Sequence, residues 1–473
     1  MNKIKKLFKG RVGSVISYSL IKYIALAIGF LKGLVNARVL GPELLGVLGN
    51  LILILGYCGY ANLGITNSMN REYVVYEDDN KEKAESVLNT SFTFLVYLSL
   101  LFIIFSIISF YMYKNTYGIY LSLVFVIAIF EQFKNFFTSY FRLKDDYEMI
   151  NKIEVIYNII LFALTVLLIF NWKILGVLVA MLLCDIVIMY IGIKNMERVK
   201  IQIEKDILKA LISLGVPLLI YNLGFYILTT IDRLIIIKYY TNEALGYYTF
   251  ANTIVTATLV FITSFLFLLY PKALKTFNEK KSNGISEKLF FYTKILELGC
   301  VLLFIMGLIG ITPFIYLLLP KYEASIVIYN ILVLAVIMNY ISYFANTYIA
   351  SNKKQMYLVY LQIISIILNF TLNIIFVKLG FGVIGVVVGT LITNTIYSFI
   401  QYMIFLKLNT KKMNFRKTYI IYRKIIIFSA IQVILVLLKV NYLISIISTI
   451  LITLVFYFND IKNIKNYIRY IKD

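Results

Sequence analysis

"RVLGPELLGVLGN", Arg38–Asn50, lies between two long apolar stretches and contains the pair Gly41-Pro42. A Gly-Pro pair favours a turn and breaks a helix. The residues on either side are too apolar, for too long, to be ordinary surface. A turn between two such runs reads as the closure of a hairpin in a membrane, and the rest of the chain bears on that reading.

The 473 residues are 61% hydrophobic and 15% charged, with a mean hydropathy of +0.85. A soluble chain of this length carries more charge and less apolar mass. Apolar runs of about 20 residues recur from end to end, the length that crosses a hydrocarbon core of about 30 Å. The ten-residue alternation of an outer-membrane barrel is missing. The expected class is an all-α membrane protein. The N-terminus is basic, but its apolar run is too long for a signal peptide and lacks a small-residue cleavage site, so the first span reads as a membrane helix itself. Cys58, Cys184 and Cys300 fall inside apolar runs and read as small buried hydrophobes, with no disulfide framework and no metal site. The sequence has no histidine, which removes imidazole ligands and relays.

Apolar runs set against charged breaks give about 14 transmembrane helices. They fall near 12–37, 44–66, 88–111, 118–140, 150–170, 174–193, 210–237, 244–269, 293–319, 324–350, 357–377, 382–406, 419–438 and 442–458. Orientation follows from the lysines and arginines. With the N-terminus inside, 35 of the 46 lie on inner loops or the helix ends beside them. Seven lie outside: Arg38, Lys114, Lys173, Lys238, Lys321, Lys378 and Lys439. Both termini, and the loop around Lys280, are therefore expected in the cytoplasm, with the protein multi-pass in the cell (cytoplasmic) membrane. The net charge of +22 is then mainly a topology signal. It implies attraction to anionic membrane lipids and requires no nucleic acid.

The opening stretch recurs. "KYYTNEALGYYTFAN" at Lys238–Asn252 places Lys238, Glu243, Leu245 and Gly246 200 positions after Arg38, Glu43, Leu45 and Gly46. "NWKILGVLVAMLLCD", ending at Asp185, is echoed by "KLGFGVIGVVVGTLITN", ending at Asn394. Two parallel six-span halves are expected, an arrangement that places a transporter's substrate site between them. The expected organisation is an N-terminal six-helix bundle over 1–200, a second over 201–410, and two extra transmembrane helices with a basic tail over 411–473.

Several stretches resemble the polysaccharide flippases, of O-antigen and teichoic acid type, in the multidrug/oligosaccharidyl-lipid/polysaccharide exporter superfamily. They are Arg38–Gly46 followed by "NLGITNSMNRE" at Asn62–Glu72, "DRLIIIKYYTNEALGYY" at Asp232–Tyr248, and "LNFTLNIIFVKLGFGVIGVVVGT" at Leu368–Thr390. The resemblance covers nearly the whole chain. It implies two six-helix bundles around a central cavity, two C-terminal helices, and movement of a polyprenyl-(pyro)phosphate-linked oligosaccharide from inner to outer leaflet by alternating access. Glycan-assembly enzymes are partners of the kind such a flippase would have.

Charges inside spans cost roughly 2.5–3.5 kcal/mol each on insertion scales and normally face water or a partner. On span 1, Tyr18, Lys22, Lys32 and Asn36 share a stripe about 100° wide with small residues. On span 7, Asn222, Tyr226 and Arg233 share a face about 60° wide. A phosphate needs dispersed cations and donors, and Lys22, Lys32 and Arg233 supply them, with Tyr18, Asn36, Asn222 and Tyr226 nearby. The blander reading of Lys32 is snorkelling to the outer interface. Glu131 and Lys134, three apart, read as a pair with each other. Asp185 reads either as partner to a cation of another helix or as a coupling group, and Asp232 either orients Arg233 or caps its helix. No "GxxxxGK[ST]" phosphate loop is present, and no catalytic group or cofactor is expected. The alternatives are a drug/cation antiporter of the same superfamily, which favours an acidic cavity, and an integral membrane glycan polymerase or glycosyltransferase, which needs larger outer loops than these.

Overall fold

The computed structural model describes the backbone of residues 11–77, 79–278 and 282–463, and side chains from Ile21 onward except at a few positions between 264 and 284. The side chain of Tyr18 and the loop around Lys280 lie outside the described residues. Fourteen α-helices run in the order α1 Arg11–Cys58, α2 Ile65–Glu77, α3 Lys81–Met112, α4 Thr116–Leu143, α5 Tyr147–Asn195, α6 Lys205–Tyr239 and α7 Asn242–Asn278, followed by α8 Ser282–Leu318, α9 Ala324–Ile341, α10 Tyr343–Ser351, α11 Met356–Lys378, α12 Gly382–Thr410, α13 Phe415–Leu437 and α14 Tyr442–Lys462. No strand occurs among the described residues.

Among the described residues, twelve helical segments are long and apolar enough to cross a membrane, α9 and α10 forming one of them. Two of the twelve are too long for a single crossing. α1 has 48 residues and α5 has 49, so each would reach about 70 Å, more than twice a hydrocarbon core. Each is interrupted by one residue, Gly41 (φ 72°, ψ 174°) in α1 and Lys173 (φ 51°, ψ −124°) in α5. The first is a conformation that essentially only glycine adopts. Pro42 follows at the first turn of the next limb, where its missing N–H costs nothing. Each long helix is thus two spans, and the fourteen spans read from the sequence each have a helix in the described residues, the second of them only as far as Cys58. The protein is an all-α membrane protein.

The helix starts follow from short polar side chains. Asn80, Asn115, Asp146, Asn414 and Asn441 each accept a hydrogen bond from a backbone N–H in the first turn they precede. Such caps satisfy donors that lipid would leave bare.

The chain divides into two compact units, Met1–Leu223 and Gly224–Asp473. In the first, α3 packs on α4, and both α1 and α4 pack on α5. Lipid supplies no hydrophobic drive between helices, so close fit has to hold them. Phe92 meets Phe133 and Phe136 at 5.4 and 5.5 Å between ring centroids. The Phe137 ring lies in the notch left by Gly192 of α5, where a Cβ would collide with it. Gly192→Ala should therefore lower the melting temperature of the purified protein, since overpacking costs about 1–3 kcal/mol. Adding Phe137→Leu should recover part of that loss. The outer face of α3 is left apolar and exposed at Leu100, Ile104, Ile107 and Ile108, as a lipid-facing surface requires.

In the second unit α9 is the buried centre, with Tyr329, Ile331, Val333, Leu334 and Met338 enclosed. It packs on α7, α8 and α12. α14 docks on α8, and a buried polar knot lies where they meet. Lys294 donates to Glu297 Oε2 at 2.6 Å and to the Ile421 carbonyl at 3.0 Å. The Tyr457 hydroxyl donates to the other oxygen of Glu297 at 2.7 Å. Every charge in this buried knot has a partner.

Candidate functional site

The polar stripe of span 1 faces protein. α1 packs on α5, and Lys22 Nζ sits 3.0 Å from Glu154 Oε1 of α5, with its side chain 43% exposed. Ten residues further along α1, half-buried Lys32 lies within electrostatic range of Lys134, Glu131 and Asp185. Asn36 is buried and its Oδ1 accepts no hydrogen bond.

Glu131, Lys134 and Asp185 come together. Lys134 Nζ is 3.5 Å from Glu131 and 3.4 Å from Asp185 Oδ1, and 3.8 Å from the centroid of the Tyr157 ring. Asp185 is fully buried, and its Oδ2 has no hydrogen-bond partner. With Lys32 the cluster holds two cations and two carboxylates. In the second unit Asn394, the echo of Asp185, is uncharged and donates to the Ala335 carbonyl at 3.0 Å. A buried carboxylate at this position is thus particular to the first half.

In the second unit Asp232 is buried and accepts from the Tyr248 hydroxyl of α7 and from the Arg233 backbone N–H at 3.0 Å. Arg233 lies over the Tyr248 ring, 5.9 Å from its centroid, and its Nε makes no hydrogen bond. Asp232 therefore is not a helix cap. It fixes the tyrosine that supports the guanidinium. Tyr226 is half-buried on the same helix, while Asn222, a turn earlier, is exposed and lines a cavity in the first unit.

That cavity has a volume of about 250 Å³ and lies where the second span breaks. The sequence predicted a helix through 44–66, but α1 stops at Cys58 and the chain turns through 59–64 before α2. Leu63 (φ 52°) and Gly64 (φ 75°) are both left-handed. A Cβ at Gly64 would run into the Gly215 carbonyl of α6, and one at Gly215 would sit 2.7 Å from the Leu63 oxygen. Irregular backbone at membrane depth needs its polar groups satisfied. Gln132 of α4 supplies this, donating to the Cys58 carbonyl at 2.9 Å and accepting from Asn62 at 2.9 Å, while Asn62 Oδ1 accepts from Gly64 N–H at 3.0 Å. Cys58 consequently stands at a helix end and not mid-span. Gln132→Leu leaves two buried polar groups unpaired, at about 1–3 kcal/mol each. It should lower the melting temperature by several degrees.

The cavity is lined by amides, hydroxyls and one guanidinium, Asn62, Thr66, Asn67, Asn70, Asn135, Thr138, Ser139, Arg142 and Asn222 among them, with no carboxylate. Of these, sequence reasoning had singled out Asn222 alone. The signal was present: "NLGITNSMN" puts three asparagines into nine residues at the end of a predicted span, where a lipid-facing helix has none.

The profile of the family described as "Polysaccharide biosynthesis protein" matches residues 35–280, more than half of the chain. The protein belongs to this family. A Shigella flexneri protein described as "Putative O-antigen transporter" is 36% identical over 94 residues, a stretch that spans about a fifth of either chain. The fold is similar to the lipid II flippase MurJ in its inward closed conformation, with TM-score 0.70 and 17% identity over 94% of this chain and 100% of the other. It is also similar to an inward-facing multidrug resistance MATE family transporter of the MOP superfamily, with TM-score 0.69 and 15% identity over 86% of this chain and 99% of that one.

Proposed function

We propose that the protein is a flippase, carrying a polyprenyl-(pyro)phosphate-linked oligosaccharide from the inner to the outer leaflet by alternating access of its two halves. It moves its substrate and breaks no covalent bond. Family membership supports the glycan part of the reading. The observation that carries it is the cavity at the broken second span, whose lining matches hydroxyl-rich, anionic cargo. Sugar hydroxyls both donate and accept, as asparagine amides and serine or threonine hydroxyls do, and a guanidinium suits a phosphate oxygen. The MATE-like fold keeps a cation antiporter as the second reading, but a cationic drug calls for carboxylates, and this cavity has none.

The membrane potential is a sufficient drive. Two negative charges crossing the full field release about 4.6 kcal/mol per 100 mV, so outward export from a negative interior needs no nucleotide. The proposal places the halves at 1–200 and 201–410, with 411–473 appended, both termini in the cytoplasm of a cell whose cytoplasmic membrane holds the protein, and glycan-assembly enzymes as neighbours. A cysteine introduced at position 280 of a cysteine-free variant should react with an impermeant thiol reagent only after cell lysis.

Reconstituted into liposomes, the protein should move a fluorescent polyprenyl-pyrophosphate-linked oligosaccharide between leaflets, read by access of a quencher, and an imposed potential should speed it. Transport of ethidium without transport of the lipid-linked glycan would establish the antiporter reading instead.

A further inference from the structure

We infer that the cavity at the broken second span holds the sugar ring joined directly to the carrier phosphate, with the phosphate on Arg142. The inference rests on the flippase reading and deepens it. Four observations carry it.

The first is the cost of the break. Two consecutive left-handed residues, one of them Leu63, are held by a dedicated glutamine from α4 and by a close glycine–glycine contact with α6. A strained non-glycine residue costs about 1–3 kcal/mol and persists where the surroundings over-determine it, commonly at ligand sites. A continuous helix would have avoided that cost and left no cavity.

The second is polarity in the wrong place for lipid. Asn135 and Asn222 are exposed on membrane-spanning helices. Exposed positions on such helices are apolar where they meet lipid, so these side chains face water or a ligand. The third is an acceptor set left open. Thr66 is 8% exposed, lines the cavity, and its hydroxyl makes no hydrogen bond, and the Asn70 Oδ1 beside it also has no partner. Buried polar atoms are nearly always satisfied, so an exposed ligand group is the missing partner.

The fourth is size and charge. At about 250 Å³ the cavity falls below the roughly 300–1,000 Å³ of sites for drug-sized molecules, so it takes one ring and not a whole repeat unit. Arg142, in the last turn of α4, carries the single formal charge of the lining, which suits a ring whose anionic group lies at one end. The inner-leaflet orientation read from the lysines and arginines puts that end of α4 at the cytoplasmic side, where transfer of a sugar 1-phosphate group from a nucleotide sugar onto a polyprenyl phosphate, releasing the nucleoside monophosphate, would deliver the substrate.

The test uses the full chain in lipid nanodiscs and three radiolabelled probes. These are polyprenyl pyrophosphate bearing one N-acetylhexosamine, the same lipid without sugar, and soluble N-acetylhexosamine 1-phosphate. The wild type should bind the sugar-bearing lipid about tenfold more tightly than the bare lipid, the equivalent of one or two net hydrogen bonds. Thr66→Val keeps the side-chain shape and deletes a hydroxyl that has no partner in the fold, so it should melt as the wild type does while losing most of that margin. Asn135→Leu should lose it too. Arg142→Gln should weaken both lipids about tenfold. If Asn135→Leu fails to fold, Asn222→Ala, at an exposed position, takes its place with the same expectation. Stable Thr66→Val and Asn135→Leu proteins with the full sugar margin would overturn the inference and leave the flippase reading standing. A wild type that binds neither lipid would overturn the flippase reading. Equal affinity for the soluble sugar phosphate would replace the lipid-linked ligand by a free one, and so overturn the inference as stated.

Discussion

Lys134→Met should be among the most destabilising single substitutions in the protein, at about 3–5 kcal/mol. Lys134 is the cation that sits between Glu131 and Asp185, and its side chain is 18% exposed while that of Asp185 is 0%. Removing it strands the buried carboxylate of Asp185, and breaking a buried pair from one side costs far more than the pair itself contributes. The double variant Lys134→Met/Asp185→Leu removes both charges and should recover most of the loss. Thermal unfolding of the purified single and double variants measures the difference as a double-mutant cycle. The same pair of proteins separates the two readings of Asp185. A stable double variant that still transports makes the cluster a structural lock. One that is stable but has lost transport makes Asp185 part of the coupling, through the Oδ2 atom that has no partner in the fold. A single variant that melts as the wild type does would refute the account of the cluster.

Span number, helical class and the two hairpins at Gly41 and Lys173 were legible because each rests on a one-dimensional signal: apolar length, a turn residue, or an isolated charge. The pairing of Glu131 with Lys134 was legible because i and i+3 meet on any helix. Partners on other helices were not. Nothing local to Lys22 says that Glu154 lies opposite it, 132 positions away, so the stripe of span 1 carries no sign of the acid that answers Lys22 from α5. The break in the second span was hidden for a different reason. Gly59 and Gly64 are ordinary residues in a transmembrane helix, and what bends the chain there is Gln132 and Gly215, which only the tertiary fold brings alongside. The buried Lys294–Glu297 pair escaped because a charge near the end of an apolar run reads as a loop.

Lys22→Ala and Arg233→Ala together should abolish glycan export at normal protein levels, each alone reducing it by on the order of ten- to a hundredfold, the equivalent of a charge-assisted hydrogen bond lost per residue. Lys22 is the more informative member. Its ammonium lies against Glu154 at 3.0 Å yet its side chain stays 43% exposed, so the pair is open to an arriving anion that would compete with the carboxylate. On the proposal that Lys22 meets the pyrophosphate of the moving substrate, the anion displaces or shares Lys22, and Glu154 sets how readily it does so. Glu154→Gln should then tighten binding of the lipid-linked substrate and slow its release, lowering export while raising affinity. A Lys22 with a purely structural role predicts the opposite: Glu154→Gln and Lys22→Ala would both weaken the fold and leave the affinity of the folded fraction unchanged. Lys22→Arg keeps the charge and should retain part of the export. For Arg233 the support is the Tyr248 ring, held in turn by Asp232. Tyr248→Phe keeps the ring but removes the hydroxyl that anchors it, and should cost less export than Arg233→Ala. Transport rates and substrate affinities measured side by side in liposomes and nanodiscs decide the matter, and full export by the Lys22→Ala/Arg233→Ala protein would end the phosphate-binding role of both residues.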